Sequence, residues 1–473
     1  MNKSIFFKVF IIVFICKLPA CSDLFFECIG SRVPLDHVKP FWRYDEIKEL
    51  KKLTPGDLNS SLNHYPIVCI ERSFSFKNLG TCVPRYLIDN SKREQRNISE
   101  YARTVLCPAK FGEGHYEVCS IPNQLCNKVY VKIDGKYELM IEPADPAGKM
   151  FLKRAYLDTI ASSFYRLAPD SLTNILSEIH GRYCAQKGPQ SIDNFLRKFG
   201  FEPQGKTWIP RSKSHLKKAV AFGINPHDWL KCRGEYKHFQ DFFTRKLKEG
   251  VRTIAEPFNP NVIVAPADSK LTVIENVEKD ITLFSVKQED FTLSRFLGND
   301  ILAQEFDGGT MMIFRLSPYN YHHYHGAVDA IPSEGTFIKK IGLESVDPIA
   351  YKTKIDPLIT NKRMLVKLDT PYGIIPMVVV GAYNVGSINN TYIPCQEYKK
   401  GAELGYFKLG GSTVVLLFKK GQIIPIKEFV EHSLQGFETA VFLGEKVATF
   451  TQSLTEEEIK VWKKSTTTLC EKP

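Results

Sequence analysis

The sequence predicts an α+β protein, in which a helical segment comes first and a mostly β segment follows. Between residues 149 and 250, apolar side chains recur at steps of three and four, the spacing of one face of a helix. From about residue 255 to 450 the pattern changes to short apolar and β-branched runs separated by Gly, Pro and Asn. Because helical and strand patterns occupy separate stretches of chain, we expect the α+β class.

Length and composition exclude two classes of protein. The chain has 473 residues, of which 43% are hydrophobic, so it is long enough for two or three domains and too apolar for general disorder. The longest apolar run near the N-terminus is Val9–Cys16. A spanning helix needs about 20 apolar residues, which argues against a polytopic membrane protein. The net charge of +11 suits an anionic partner, either a membrane surface or nucleic acid.

Residues 1–22 have the layout of a cleaved secretory signal. Lys3 is followed by the largely apolar stretch Ile5–Cys16 and by the small residues Ala20-Cys21-Ser22. A short membrane anchor is the alternative. A mitochondrial presequence is less expected, because no arginine precedes Arg32. We therefore expect a protein of the secretory pathway, membrane-associated or secreted.

Residues 23–146 form a cysteine-rich extension with little sustained periodicity. An even number of cysteines in a secretory segment predicts a disulfide framework, and six cysteines allow 15 pairings. Six unrelated buried thiols are the alternative. No Cys-x-x-Cys pair accompanies them, so no metal site is expected. The six are Cys28, Cys69, Cys82, Cys107, Cys119 and Cys126.

Residues 147–250 combine helical spacing with basic and aromatic side chains. Residues 201–250 hold 11 Lys and Arg against 5 Asp and Glu. This mixture predicts a segment that faces an anionic membrane surface. The alternative is that the aromatic rings face the core and the lysines face water. No nucleic-acid-binding motif follows, so no nucleic-acid partner is expected. The aromatic residues are Trp208, Phe222, Trp229, Phe242 and Phe243.

Residues 251–473 are expected to form the β-rich core. The runs that predict strands are Val262–Ala265, Met311–Leu316, Ile374–Val380 and Thr413–Phe418. Near the end, Thr455 followed by Glu458 has the spacing of a capping box and predicts the start of a helix. Further helices are predicted over Phe151–Phe164, Ile192–Phe199 and Phe239–Leu247.

Three segments of the β-rich core carry reactive side chains at the ends of predicted strands. Asp268 follows the first strand, and a segment with His322, His323 and His325 follows the second. Ser412 comes directly after Gly410-Gly411 and before an apolar strand. Asp, His and Ser together suggest a nucleophile with its base and an orienting acid.

A conventional serine hydrolase fits this pattern poorly. The strand-to-helix elbow Gly-x-Ser-x-Gly would require glycine at 414, where valine stands. A serine in this setting can instead attack the carbonyl of Gly411 and form an ester by an N→O acyl shift. Elimination then cuts the chain and leaves dehydroalanine, which hydrolyses to a pyruvoyl group.

These segments resemble the phosphatidylserine decarboxylase family of pyruvoyl-dependent enzymes, over roughly residues 150–450. The serine motif is Leu409-Gly-Gly-Ser-Thr413, preceded by Glu403-Leu-Gly-Tyr-Phe407. The aspartate motif is Ala265-Pro-Ala-Asp268 and the histidine motif is Tyr321-His-His-Tyr-His325. Further matches are Asp241-Phe-Phe-Thr-Arg-Lys-Leu-Lys248 and Gly381-Ala-Tyr-Asn-Val-Gly-Ser387.

The resemblance implies a barrel-like, mostly β catalytic core and a self-cleaving proenzyme. Asp268, His325 and Ser412 would form the self-cleavage triad, with Asp268 orienting His325 and His325 taking the proton of Ser412. Cleavage at Gly411–Ser412 would give a β chain ending at 411 and an α chain of residues 412–473 that stay associated. The pyruvoyl group from Ser412 would form a Schiff base with phosphatidylserine, which loses CO₂ to give phosphatidylethanolamine.

His322 matches the family histidine of the decarboxylation step, and it would reprotonate the substrate carbon. Two positions depart from the family pattern, with Ser269 in place of Gly and Asn320 in place of Asp. No role follows for His323. The alternatives are a secreted phosphatidylserine-binding protein without turnover and a serine hydrolase that uses the same Asp, His and Ser.

Overall fold

The computed structural model describes residues 67–70, 81–84, 128–142, 185–277, 292–338, 357–384 and 387–465. The chain divides into two units, residues 1–126 with 145–184 and residues 127–144 with 185–473. In the first unit, β1 (Ile67–Ile70) pairs antiparallel with β2 (Thr81–Pro84). The predicted signal segment, the pairing of the six clustered cysteine side chains and the predicted helix Phe151–Phe164 lie outside the described residues.

The second unit contains the remaining described helices and strands. The helices are α1 (Pro189–Arg197), α2 (Lys213–Ala221), α3 (Phe239–Phe243), α4 (Leu293–Leu297), α5 (Asp300–Glu305), α6 (Pro357–Thr360), α7 (Lys427–Leu434) and α8 (Glu456–Ser465), with a 3₁₀ turn at Pro226–Asp228. The strands are β3 (Lys128–Ile133), β4 (Lys136–Ile141), β5 (Phe201–Gln204), β6 (Thr207–Pro210), β7 (Val262–Val264), β8 (Ser269–Val277), β9 (Gly309–Leu316), β10 (His323–His325), β11 (Ile331–Pro332), β12 (Thr336–Ile338), β13 (Arg363–Thr370), β14 (Gly373–Asn384), β15 (Ile388–Asn390), β16 (Glu403–Phe407), β17 (Gly410–Phe418), β18 (Ile423–Pro425), β19 (Glu438–Val441) and β20 (Lys446–Phe450).

One large sheet dominates this unit. Its strand order is β11-β13-β14-β17-β9-β8-β19-β3-β4, and β12 also pairs with β13. All neighbours are antiparallel except β19 and β3. In the described residues the sheet is open, because β11 and β4 at its two ends do not pair with each other. The mixed α and β class with mostly strands is confirmed, whereas the expected barrel is not closed.

The centre of the large sheet is buried on both faces. Along β17, Val414, Leu416 and Phe418 join one apolar core, and Val415 and Leu417 join the other. Alternate side chains of a strand point to opposite faces, so an unbroken apolar run suits a strand that is covered on both sides. This burial explains why the sequence shows no polar alternation from Val414 to Phe418.

The predicted elements of the core are largely confirmed. The four predicted strands correspond to β7, β9, β14 and β17, and the run Ile192–Phe199 overlaps α1. Thr455 and Glu458 cap α8 reciprocally, with the Thr455 N–H donating to Glu458 Oε2 (2.7 Å) and the Glu458 N–H to Thr455 Oγ1 (3.3 Å). The helix predicted over Phe239–Leu247 ends at Phe243, and Leu247 instead forms a β-bridge with Trp229.

The aromatic side chains of residues 201–250 are buried inside the protein. Trp208, Phe222, Trp229, Phe242 and Phe243 are each at most 2% exposed. The rings pack edge to face on one another, with centroids 5.7 Å apart for Trp208–Trp229 and 5.2 Å for Trp229–Phe242. The alternative that these rings face the core is therefore confirmed, and the expectation that they face a membrane is wrong.

The basic side chains of α2, unlike these aromatic rings, are exposed to solvent. Lys213, Lys217 and Lys218 are exposed. Among the described residues, no helix is both long and apolar enough to cross a membrane.

The hairpin of β3 and β4 belongs to the large sheet, although residues 23–146 were predicted to be a loop-rich extension. Behind β4, the carboxylate of Glu142 is fully buried and pairs with Arg315 at the end of β9 (2.8 Å). Glu142 also accepts hydrogen bonds from Ser317 and from Tyr319 (2.7 Å), and it lies 3.6 Å from Lys270 Nζ. This buried network joins the hairpin to the segment that follows β9.

Replacing Glu142 with Gln should destabilise the protein strongly, because Lys270 would lose its nearest carboxylate and Arg315 would keep only Glu438. Breaking a buried ion pair on one side typically costs about 3–5 kcal/mol. The free energy of unfolding in urea measures this loss. Glu138→Gln on the exposed side of β4 is the control and should change little.

The stabilisation that Glu142 contributes also depends on pH. Burial alone would raise the pKa of Glu142, but Arg315, Lys270 and the two hydroxyl donors outweigh it and lower the pKa from 4.5 to about 2. The stabilisation by this carboxylate is therefore complete above pH 4.5 and is lost as the pH falls toward 2. A Glu142→Gln protein that unfolds like the control at pH 7 would contradict this account.

Candidate active site

Ser412 lies in the middle of the large sheet, near the start of β17. It pairs with Leu316, the last residue of β9, and with Gly381 on β14. The side chain is fully buried, and Oγ has no hydrogen-bond partner among the described residues. Buried hydroxyls are normally hydrogen-bonded, so an unpartnered one marks a site that requires an explanation.

The backbone just before Ser412 leaves the regular ladder. Ser412 pairs with Gly381 and Gly410 pairs with Asn384, so the register between β14 and β17 shifts at Gly411. Irregularities of this kind occur frequently beside active sites, where they redirect a residue. The carbonyl of Gly411 thus belongs to the least regular part of an otherwise continuous strand pairing.

The histidine segment begins where β9 ends, beside Ser412. A tight turn leads out of β9, in which the Asn320 N–H donates to the Ser317 carbonyl (2.8 Å). Asn320 Oδ1 accepts from the Ser317 N–H (2.9 Å) and from Lys270 Nζ (2.7 Å). Asn320, one of the two positions that depart from the pattern given above, therefore holds this turn. Ser269, the other departure, donates to the Ala267 carbonyl (3.1 Å).

His322 is fully buried and held in one orientation. Its ring stacks on Phe243 with centroids 3.8 Å apart, and Nδ1 lies 2.8 Å from the Asn320 carbonyl, to which it donates. Burial, and then the positive charge of Arg245, hold the pKa of His322 well below its ordinary value. The neutral ring thus presents the lone pair of Nε2, which has no partner among the described residues.

His325 is also buried and neutral. Nδ1 donates to the Gly401 carbonyl (2.8 Å), which leaves Nε2 to accept from the Tyr321 hydroxyl (3.2 Å). Burial lowers the pKa of His325 to about 4, against the opposing effects of the Gly401 hydrogen bond and of nearby carboxylates that include Asp268. At neutral pH this imidazole is a free base.

Asp268 is fully buried and is held by Arg252. Arg252 Nη2 and Nε donate to its two oxygens (2.7 and 2.9 Å), and the Leu443 N–H donates to Oδ1 (2.9 Å). The expected hydrogen bond from His325 to Asp268 is absent from the described contacts, because the carboxylate is committed to Arg252 and the imidazole to Gly401 and Tyr321. Asp268 acts on His325 through its charge, which raises the pKa of the imidazole.

His323, for which the sequence predicts no role, belongs to a supporting layer. Its ring stacks on Tyr321 with centroids 4.6 Å apart, and Nδ1 lies 3.3 Å from Glu403 Oε1. The contact with His323 lowers the pKa of Glu403 to about 2, although burial opposes the shift. Through Tyr321, this layer supports the ring of His325.

Several residues of the site were missed by reasoning from the sequence. Tyr321 and Glu403 stand inside the motifs that carry Asp268, His325 and Ser412, so proximity to those motifs was a usable signal. Phe243 belongs to the Phe-Phe-Thr-Arg segment, for which the sequence predicts no role. Arg252 had no signal in the sequence, since its importance depends on a contact with Asp268 that only folding creates.

The buried polar atoms of this site fit a prosthetic group that is made from Ser412 itself. The serine Oγ and His322 Nε2 are buried polar atoms without partners among the described residues. Two neutral imidazoles, His322 and His325, stand on the segment that follows Leu316, the residue paired with Ser412. Such an arrangement can accept a proton from a hydroxyl and can deliver one to a substrate carbon.

Comparison with known proteins agrees with this site. The sequence model of the family described as phosphatidylserine decarboxylase matches residues 239–449, from the start of α3 to β20. A phosphatidylserine decarboxylase proenzyme of Clostridium novyi is 32% identical over 321 residues, which cover 67% of this chain and 99% of the relative. Proenzymes of the same name are 39% identical in Fusobacterium nucleatum (50% of this chain, 78% of the relative) and in Chlamydia muridarum (45% and 70%). The chain belongs to the phosphatidylserine decarboxylase family.

Proposed function

We propose that this chain is a phosphatidylserine decarboxylase proenzyme that cleaves itself between Gly411 and Ser412. The processed enzyme is a carboxy-lyase that converts phosphatidylserine to phosphatidylethanolamine and CO₂. The single observation that carries this proposal is the buried, unpartnered Oγ of Ser412 at the register shift beside Gly411. Membership of the family supports the same reaction.

Self-cleavage uses only groups of this chain. Ser412 Oγ attacks the carbonyl carbon of Gly411, and its proton passes to Nε2 of His325, either directly or through the Tyr321 hydroxyl that occupies this nitrogen. His325 is suited to this step because its pKa of about 4 leaves it neutral. The negative charge of Asp268 then stabilises the imidazolium that forms.

The ester that results is resolved by elimination. The peptide C–N bond breaks first, so that Gly411 is joined to the serine oxygen and residue 412 carries a free amine. Loss of the Cα proton expels the Gly411 carboxylate, and water converts the remaining dehydroalanine to a pyruvoyl group with release of ammonia. The pyruvoyl ketone supplies an electrophile for the substrate amine and accepts the electron pair left when CO₂ departs.

His322 is proposed to relay a proton: Nε2 accepts one from the ammonium group of the substrate, which must lose it before the amine can react, and returns it to the substrate carbon after CO₂ departs. Its Nδ1–H is fixed on the Asn320 carbonyl, so Nε2 is the only ring nitrogen free to exchange a proton. The stacked ring of Phe243 fixes the plane of the imidazole. His325 differs, because both of its nitrogens are hydrogen-bonded.

The two products of cleavage are expected to stay associated. The α chain, residues 412–473, contributes β17, which pairs with β9 on one side and with β14 on the other. Both partner strands belong to the β chain. Separating the chains would expose the two apolar faces of the sheet centre, so burial opposes dissociation.

Two alternatives and three assignments stay open to test. A serine hydrolase would need Ser412 on a strand-to-helix turn, whereas Ser412 lies within β17. A phosphatidylserine-binding protein without turnover would not cleave itself. The domain boundaries at 22, 146 and 250, an anionic membrane surface as a partner and the secretory route stay predictions from the sequence.

Ser412→Ala should give a single uncleaved chain without decarboxylase activity, because both the nucleophile and the source of the ketone are lost. Denaturing electrophoresis detects the fragment of residues 412–473, and CO₂ release measures activity. Ser453→Ala, which changes an exposed serine of the same fragment, should cleave and react normally. A fully active wild-type protein that remains uncleaved would sink the mechanism.

Carbonyl reagents should inactivate the processed enzyme. Hydroxylamine or phenylhydrazine should abolish CO₂ release and add mass to the fragment of residues 412–473, because each traps a ketone. The uncleaved Ser412→Ala chain is the control and should gain no such mass. Inhibition by a metal chelator together with resistance to hydroxylamine would contradict the proposal.

His322→Ala should separate cleavage from catalysis. The variant should still release the fragment of residues 412–473 but lose about 10²–10⁴-fold in decarboxylation, the usual contribution of a general acid–base group. His322→Gln preserves more of the packing against Phe243 and should show the same split. His227→Ala at an exposed position is the matched control.

Two other outcomes would change the assignment of His322. Normal cleavage with normal turnover would mean that His322 only packs against Phe243. If neither His322→Ala nor His322→Gln cleaves, His322 rather than His325 serves the cleavage step. Both readouts should therefore be taken on the same preparation.

A further inference from the structure

The short helix α3 and the two residues after it contact both catalytic segments. The ring of Phe243 stacks on His322, and the carbonyl of Thr244 lies 3.2 Å from His323 Nε2. From the same helix, Gln240 Oε1 accepts the Leu409 N–H at 2.9 Å. Gln240 is thus a side chain of α3 that reaches the backbone leading to the cleavage site.

The contact with Leu409 fixes the chain just before the bond that is cut. Leu409 precedes Gly411 by two residues, and Phe407 is held as well, since its N–H donates to the His322 carbonyl (2.9 Å). After these two hydrogen bonds comes the register shift at Gly411. Gln240 therefore holds the backbone two residues before the scissile carbonyl.

The amino group of the Gln240 side chain donates no hydrogen bond to any described residue. The Leu409 N–H can only be accepted by oxygen, so this contact identifies Oε1 and leaves Nε2 as the amino group. Nε2 is buried and has no partner among the described residues. A buried donor without a partner reduces stability, and such groups are expected where charge develops during a reaction.

Among the buried donors without a partner in the described residues, Gln240 Nε2 belongs to the side chain that already holds the backbone next to the scissile bond. Thr413 Oγ1 is also unpartnered, but Thr413 follows Ser412 in a strand and its side chain projects to the opposite face. His322 Nε2 carries a lone pair instead of a proton, because Nδ1 holds the hydrogen. Gln240 Nε2 carries two hydrogens.

We propose that Gln240 is a further catalytic residue of self-cleavage, an inference that rests on the proposed function. When Ser412 Oγ bonds to the Gly411 carbon, the electron pair of the carbonyl moves to its oxygen, and Nε2 of Gln240 donates a hydrogen bond to that oxyanion. Oε1 meanwhile holds Leu409, so that the carbonyl stays aligned. The oxyanion then collapses as the peptide C–N bond breaks and the amine of residue 412 takes up a proton.

Two substitutions separate the two functions of the amide. At pH 8, Gln240→Glu keeps an oxygen that accepts the Leu409 N–H but replaces the donor with a charged acceptor. Gln240→Leu removes both functions at similar size. Gln304→Glu, an exposed glutamine on α5, is the control for the added charge.

The measured quantity is the first-order rate constant of cleavage. Full-length chains are pulse-labelled in cell-free synthesis and chased, and the appearance of the fragment of residues 412–473 is followed. Loss of one oxyanion donor typically slows a reaction about 10²–10³-fold, so both Gln240 variants should slow by at least about 10²-fold. The Gln304→Glu chain should cleave at the wild-type rate.

The unfolding midpoint separates this effect from misfolding. Gln240→Glu is compared with unmodified Gln240 in the Ser412→Ala background, where both chains remain uncleaved, and the midpoints should agree closely. If Gln240→Glu cleaves at the wild-type rate while Gln240→Leu is slow, the amide only holds Leu409 and the proposal is overturned. Wild-type rates in both variants overturn it completely. An uncleaved wild-type chain would instead refute the proposed function itself.

Discussion

The pairing of β17 between β9 and β14 is the constraint on which the rest of this site depends. The register sets Ser412 opposite Leu316 and Gly381, and the histidine segment starts immediately after Leu316. Close packing on both faces from Val414 to Phe418 favours that register, because a slip of one residue would put side chains of different shape into the two cores. The packing of hydrophobic side chains therefore places Ser412 against the end of β9, from which the histidine segment leaves.

Burial also determines the protonation states of the site. His322 and His325 are both held neutral because a charged imidazole would be poorly solvated there. Their hydrogen bonds then differentiate them. His325 uses both ring nitrogens, with the Gly401 carbonyl and the Tyr321 hydroxyl, whereas His322 keeps Nε2 unpartnered within the described part of the chain. The same residue type thereby suits two different steps.

Charged groups are concentrated in two buried clusters beside this site. Arg252 holds Asp268 and also contacts Asp228 (3.2 Å), so the carboxylate stays in place without touching His325. On the other side, Glu142 and Arg315 join the β3–β4 hairpin to the turn that carries Asn320. Chain segments far apart in sequence are thus tied to the residues around the serine, which links the stability of the sheet to the geometry of the site.

The sequence by itself predicted the class of the fold, the four central strands and the cap of α8, and its ordered motifs predicted Asp268, His322, His325 and Ser412 as the site. These features depend on local periodicity and on ordered motifs, which can be read along the chain. The open sheet, the burial of the aromatic rings and the contacts of Arg252, Tyr321 and Gln240 were decided only by the tertiary structure. Each of these depends on which distant segments meet, and the free energy of such contacts comes from long-range packing and desolvation that a local pattern does not encode.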